Sequence, residues 1–128
     1  MNEELSKVDS FTKLVTWQEG HKLVLIVYNL VKNFPKDERF ALIDQIRRAV
    51  VSVTSNIAEG FSRGTYKEKA HFYYIALGSL TETQNQLIIA RDVGYITEQD
   101  FNLASAQIDF TNKLLRGLIK KTHTFINS

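Results

Sequence analysis

The spacing of apolar residues between positions 42 and 57 constrains the fold of this chain more than any other feature. Leu42, Ile43, Ile46, Ala49, Val50, Val53 and Ile57 recur at steps of three and four. That repeat marks one face of an α-helix over several turns. The β-branched neighbours Val50 and Val51 lower helix propensity slightly, and packing of the stripe overrides that. A polar stripe runs beside the apolar one: Gln45, Ser52, Asn56 and Glu59. A polar group next to a core must find a partner or it costs about 1–3 kcal/mol. One reading of these residues is a hydrogen-bond network that fixes how helices pair. The other is a polar pocket or a subunit contact.

The same rhythm recurs on either side, with punctuation between. Thr16 and Glu19 have the spacing of a capping box, in which side chains satisfy the free N–H groups of a helix start. They predict a first helix from Trp17, with Trp17, Val24, Val27, Tyr28 and Val31 facing inward. Leu23, Ile26 and Leu30 widen that surface beyond one seam, so the helix buries more than one side. Phe34 before Pro35 ends it, since residues before proline leave helical space. A second helix is predicted from Lys36 to Glu59, its acidic start suiting the helix dipole. Gly60 and Gly64 read as left-handed stops. Thr65 and Glu68 form the next capping box, opening a third helix from Tyr66 to Val93 with Phe72, Ile75, Ala76, Leu80, Thr83, Leu87 and Ala90 inward. Gly78 within it costs about 1 kcal/mol relative to alanine, which implies close approach of another helix. Gly94 is the next stop, and Thr97 with Asp100 caps a fourth helix. There Phe101, Ala104, Ile108, Thr111, Leu115, Leu118 and Thr122 keep a coiled-coil spacing, widened by Leu103, Phe110 and Leu114.

The pattern predicts an all-α, antiparallel, up-down-up-down four-helix bundle over residues 16–125. Residues 1–15 read as an N-terminal tail whose Phe11, Leu14 and Val15 tuck onto the bundle, and residues 126–128 as a C-terminal tail. At 128 residues and 14.7 kDa the chain suits a single core. It has one proline and no cysteine, which suits long helices, excludes disulfides and thiolate metal sites, and fits a reducing cytoplasm. No apolar run approaches the roughly 20 residues that span a bilayer, and the first ten residues lack the basic and apolar blocks of a signal peptide. The expected location is the cytoplasm, with no membrane partner.

Two groups of residues are candidates for chemistry. Glu82 lies one turn from Gly78, so Asn56, Glu59 and Glu82 are expected to share or border one polar cluster. Two carboxylates in a cleft serve as general acid and base in many enzymes, but no nucleophile accompanies them, and ion pairing with Arg47, Arg48 or Arg63 is the competing role. The second group is basic. Arg47, Arg48, Arg63 and Lys67, with Lys113, Arg116, Lys120 and Lys121 near the end of the fourth helix, are candidates for phosphate contact. The competing reading is neutralisation by acids such as Asp44, and complementing of the helix dipole at a C-terminus. The net charge of +2 does not argue for nucleic acid by itself. His21, His71 and His123 fall on three predicted helices without metal spacing. No phosphate loop, dinucleotide fingerprint or zinc-protease motif is present. No metal or cofactor and no enzymatic activity are expected.

The run QIRRAVVSVTSNIAEGFSRG at residues 45–64 resembles the signature of a bacterial four-helix-bundle family named for the 23S rRNA intervening sequence. The similarity extends to Trp17, Tyr28, Phe34 with Pro35, Ala76 to Leu80 with Glu82, and Gly94 with Tyr95, and covers roughly residues 11–120. The resemblance implies a ring of identical chains, a homopentamer, and no defined reaction. A related accessory protein of diversity-generating retroelements shares the fold and binds nucleic acid, which makes RNA or DNA a candidate partner by analogy. The expected role is therefore a non-enzymatic homo-oligomer. The alternatives are a nucleic-acid-binding ring using the basic surface, an enzyme using Glu59 and Glu82, and an adaptor that presents a groove to a protein.

Overall fold

The computed structural model describes residues 9–126. Among them are four α-helices and no strand: α1 (Val15–Leu30), α2 (Asp44–Ser62), α3 (Tyr66–Asp92) and α4 (Glu98–Ile126). Residues 1–8, most of the expected N-terminal tail, and residues 127–128 lie outside the described residues. Ile126, expected in the C-terminal tail, closes α4.

The apolar stripe of α2 is buried as its spacing predicts. Ile43, Ile46, Ala49, Val50, Val53 and Ile57 are all below 7% exposed, and Leu42 is partly buried against them. They meet Leu23, Val27 and Leu30 of α1, Tyr73, Ala76, Leu80 and Leu87 of α3, and Ala104, Ile108, Leu115 and Ile119 of α4 in one cluster. The buried line of α1 runs through Leu23, Val27 and Leu30, so Tyr28, expected inside, stands exposed. Tyr73 takes the buried place expected of Phe72 and Ile75: Ile75 is exposed and Phe72 only partly covered. Both shifts have one cause. The true helix face is set by the residues that touch the neighbour, and here it lies one position round from the face that the apolar letters suggest. Thr83, Thr111 and Thr122 are buried too, and each hydroxyl donates to the carbonyl four residues back. A hydroxyl satisfied within its own helix costs the core little.

The helix starts follow two patterns. Thr65 accepts a hydrogen bond from the Glu68 N–H and donates its own proton to the Glu68 carboxylate, and Thr97 accepts from the Asp100 N–H. Both are side-chain caps, as predicted. Helix α1 differs: Leu14 precedes it without a side-chain cap, and Thr16 is buried inside the first turn. A 3₁₀ turn at Phe11–Lys13, capped by Ser10, leads into it instead. Phe11 sets its ring edge against Trp17 at 5.3 Å, and Trp17 stacks on His21 at 4.8 Å and 12°. Of the three lead-in residues expected to tuck in, Leu14 packs on the core while Val15 is 56% exposed. Past α1, Phe34 is extended, as a residue before proline must be. The chain re-enters helix through a 3₁₀ turn (Lys36–Glu38) and a π turn (Arg39–Ile43).

Glycine has two distinct uses inside the described fold. Gly94 is the described non-helical stop with a left-handed backbone, φ 85°. The Tyr95 N–H bonds to the Ala90 carbonyl and the Gly94 N–H to that of Arg91, a Schellman ending. Gly60 and Gly64 are not left-handed; α2 runs on through Gly60 to Ser62, and Arg63 ends it in extended conformation. Gly60 serves contact instead. A Cβ built there would lie 2.6 Å from Tyr73 Cε1 and 3.1 Å from the Lys69 carbonyl oxygen. Gly20 similarly brings α1 toward α2: a Cβ built there would lie 3.2 Å from Thr54 Cγ2. Gly78, expected at a helix crossing within the chain, faces open space. Replacing Gly60 by alanine puts a methyl group into a contact that backbone atoms close off. We expect Gly60→Ala to lose about 1–3 kcal/mol in urea unfolding despite its better helix propensity.

Candidate functional site

Two of the four residues of the expected polar stripe, Ser52 and Asn56, meet in the structure, and they meet a serine of α3. Ser52 and Ser79 share a hydroxyl–hydroxyl hydrogen bond of 2.8 Å across α2 and α3. The Asn56 amide donates to the Ser52 hydroxyl at 3.0 Å and to its carbonyl at 2.8 Å. Ser79 is buried and the other two are half-buried. Glu59 points elsewhere: its carboxylate accepts from Ser62 and pairs with Arg63 at 3.3 Å. Gln45 and Glu82 are solvent-exposed and make no hydrogen bond with the trio. The expected grouping of Asn56, Glu59 and Glu82 is thus not what the structure brings together. Helix geometry explains the difference. Ser79, three positions before Glu82, lies on the buried face of α3 between Ala76 and Thr83, whereas Glu82 is on the outer face.

A second polar contact, between α1 and α4, has no counterpart in the sequence patterns. The Gln107 amide donates to the Glu19 carbonyl at 2.8 Å and to its carboxylate at 3.3 Å, and Lys22 pairs with the same carboxylate at 2.7 Å. The Lys22 ammonium first, and then the Gln107 amide, hold the Glu19 carboxyl below its ordinary value. At one end of the chain Tyr95 donates to the Glu38 carboxylate at 2.7 Å and packs on Phe34; that bond raises the pKa of the phenol. Where α2 ends, Lys69 donates to the carbonyls of Gly60 and Phe61, and burial pushes its ammonium down. Burial alone pushes Tyr73 up to about 12.

The basic candidates divide. Arg48 pairs with Asp44 at 3.2 Å, as the competing reading expected. Arg47 lies over the ring of Tyr28 at 5.3 Å, with its Nε buried and without a hydrogen-bond partner. Arg63 stacks on Phe72 at 4.5 Å while paired with Glu59. Lys67 is exposed and lines an open cavity of about 450 Å³ with Arg63, Glu68, His71 and Phe72. On α4, Lys113, Arg116, Lys120 and Lys121 are all exposed, and Arg116 donates to Asn112. No ion pair among the described residues includes these four or Lys67. No group of histidine, cysteine and carboxylate side chains among the described residues could hold a metal, and no helix among them is long and apolar enough to cross a membrane.

Comparison with known proteins places the chain by its sequence. The family model of the 23S rRNA-intervening sequence protein matches residues 12–117, and the chain belongs to that family. A solved structure of a protein of unknown function, from the S23 ribosomal protein family of Bacteroides thetaiotaomicron VPI-5482, is similar with a TM-score of 0.75. The likeness covers 83% of this chain and 99% of that one at 24% identity, and so speaks for the fold. No functionally curated protein matches the sequence. The family and this neighbour come without a defined biochemical role.

Two outcomes test the polar contacts. Ser79→Ala removes one partner of Ser52 but leaves Asn56 to satisfy it, so we expect a loss of about 0.5–1.5 kcal/mol in chemical unfolding. Glu19 has a folded value below its unfolded one, so its contribution is present above about pH 4.3 and lost as the pH falls through the folded value. In Glu19→Gln, the urea midpoint should therefore lose part of its acid dependence.

Proposed function

We propose that the chain is a non-enzymatic assembly protein: an antiparallel, up-down-up-down bundle that associates with copies of itself in the cytoplasm. Residue pairs across the helices support the antiparallel order. Gly20 meets Thr54 while Tyr28 meets Arg47, and Gly60 meets Tyr73 while Ser52 meets Ser79. Arg91 lies over Phe101 while Tyr74 meets His123. In each pair of helices one number rises as the other falls.

The observation that carries self-assembly is the outer surface of α3 and α4. Ile75 and Ile89 of α3 and Val93, which follows it, are 39%, 41% and 55% exposed, and helical spacing sets them on one face with Gly78 and Glu82. On α4, Leu103 and Phe110 are 60% and 47% exposed, on one face with Leu114 and Gly117. Both glycines open onto empty space. Large apolar residues around a glycine let another helix backbone approach closely, and such exposed patches mark interaction sites. Phe40, 87% exposed on the π turn, adds a further anchor. The homopentameric ring rests on the family resemblance, which supplies the number. The enzymatic alternative has little support: Glu59 is committed to Arg63, Glu82 stands on the outer face of α3, and neither lines the cavity beside Phe72.

A second reading, nucleic-acid binding by the assembly, is favoured by one observation. Lys113, Arg116 and Lys120 share a stripe of α4 with no acid paired to them among the described residues. Repetition around a ring multiplies such a stripe into a continuous field.

Light scattering on a size-exclusion column should give a mass several times that of one chain. The double variant Ile89→Lys, Phe110→Lys should shift it toward a single chain, with the helical circular dichroism retained. A single-chain mass for the unaltered protein would end the assembly reading.

A further inference from the structure

The helices neighbour one another in the order α1, α2, α3, α4 and back to α1, and the apolar stripes of α3 and α4 lie on opposite walls of that square. On α3, Ile75 is one turn before Ser79, whose hydroxyl bonds to Ser52 of α2; the stripe therefore leans to the α2 side of its helix. On α4, Leu103 and Phe110 sit one turn either side of Gln107, whose amide bonds to Glu19 of α1, so this stripe leans to the α1 side. Each stripe has one charge set into it. Glu82 is exposed between Gly78 and Ile89, and Lys113 is exposed between Phe110 and Gly117. Neither makes an ion pair among the described residues. No cation stands one turn from Glu82 on α3: the residues three and four away are Gly78, Ser79, Asn85 and Gln86. Asp109, one turn before Lys113, is not paired with it.

We infer that α3 of one copy packs antiparallel on α4 of the next, with Glu82 against Lys113 and Gly78 against Gly117. The pairing rests on the assembly reading above and fixes which faces meet. Going up α3 from Gly78, Glu82 comes after four residues and Ile89 after eleven; going down α4 from Gly117, Lys113 comes after four and Ala106 after eleven. Antiparallel helices pass one another at equal rise, so a single register seats all three pairs: glycine on glycine, carboxylate on ammonium, isoleucine on alanine. Phe110 then drops beside Asn85, between Glu82 and Ile89, and Val93 falls beside Leu103. The two glycines, each open to space in its own chain, let the backbones close where the register brings them together. Charge selects this arrangement over the symmetric ones. A two-fold contact centred on either stripe gathers like charges, two Glu82 carboxylates in one case and two Lys113 ammoniums in the other, and like charges across an interface disfavour it. A contact between different walls is heterologous, so each copy carries both halves and repetition closes a ring. Lys113 then belongs to the interface, which leaves Arg116 and Lys120 for the second reading above.

The chain has no cysteine, so disulfide trapping reads the pairing cleanly. Full-length Glu82→Cys and Lys113→Cys chains are oxidised alone and after co-expression, then run on a non-reducing denaturing gel. We expect each variant alone to stay single, the co-expressed pair to give covalent dimers, and both substitutions in one chain to give a ladder. Covalent dimers from either variant alone, with none from the co-expressed pair, overturn the pairing. Light-scattering mass is the second readout. Glu82→Lys and Lys113→Glu should each shift the mass toward a single chain, and the two together should restore it. Gly78→Leu should shift it as well with the helical circular dichroism retained, because a side chain there meets nothing in its own chain. Unaltered mass in all three single variants, with no cross-link in the co-expressed pair, overturns the pairing; the assembly reading survives if Ile89→Lys with Phe110→Lys still reduces the mass. A single-chain mass for the unaltered protein overturns both.

Discussion

A side chain that is not there holds α2 and α3 together. Tyr73 packs where Gly60 has only hydrogen, so close that no Cβ would fit without displacing the ring or the α3 backbone. The consequences spread from that point. The phenol ring is buried, α2 runs on past Gly60, and Lys69 reaches the carbonyls at the end of α2, standing in for the water those groups would otherwise need. Eight residues from Gly60 and six from Tyr73, Ser52 and Ser79 face each other close enough for two hydroxyls to bond. Small residues thus set the spacing of this pair at two levels, and the larger apolar side chains fill what remains.

Several polar groups inside the bundle are settled within their own helix. The buried Thr83, Thr111 and Thr122 turn to their own helix, whereas Ser79 and Glu19 bond to a partner from another one. The first kind tolerates any arrangement of the helices. The second kind is lost if a helix slides or turns, so these two contacts select one register from the many that a greasy stripe would accept.

The number of helices, the ends of α3 and α4 within a residue, and the core of α2 were legible in the chain, because apolar spacing and capping chemistry are local properties; α2, expected from Lys36 to Glu59, instead runs from Asp44 to Ser62 after 3₁₀ and π turns. What was not legible depended on rotation. Whether Tyr73 or Phe72 points inward differs by 100° on the helix, and both are aromatic; the glycine on the partner helix decides. Gly60 and Gly78 look alike as letters, yet one lies under a ring and the other under open space. The polar stripe was half-right for the same reason: Ser52 and Asn56 lie toward α3, and Gln45 and Glu59 lie just far enough round to reach solvent. The contacts of Glu19 with Gln107, and of Tyr74 with His123, join residues dozens of positions apart, and no periodicity encodes them.

The Phe11–Lys13 turn that leads into α1 carries a consequence for how unfolding would be seen. The protein has a single tryptophan, and its indole is held between the edge of Phe11 and the face of His21, with one side on the core. Its emission is therefore a local witness to the seating of the Phe11–Lys13 turn on α1. Far-ultraviolet ellipticity averages over four helices. If the lead-in turn lifts before the bundle opens, the two signals will part company, and the light from Trp17 will record the departure of that turn while the four helices are still folded.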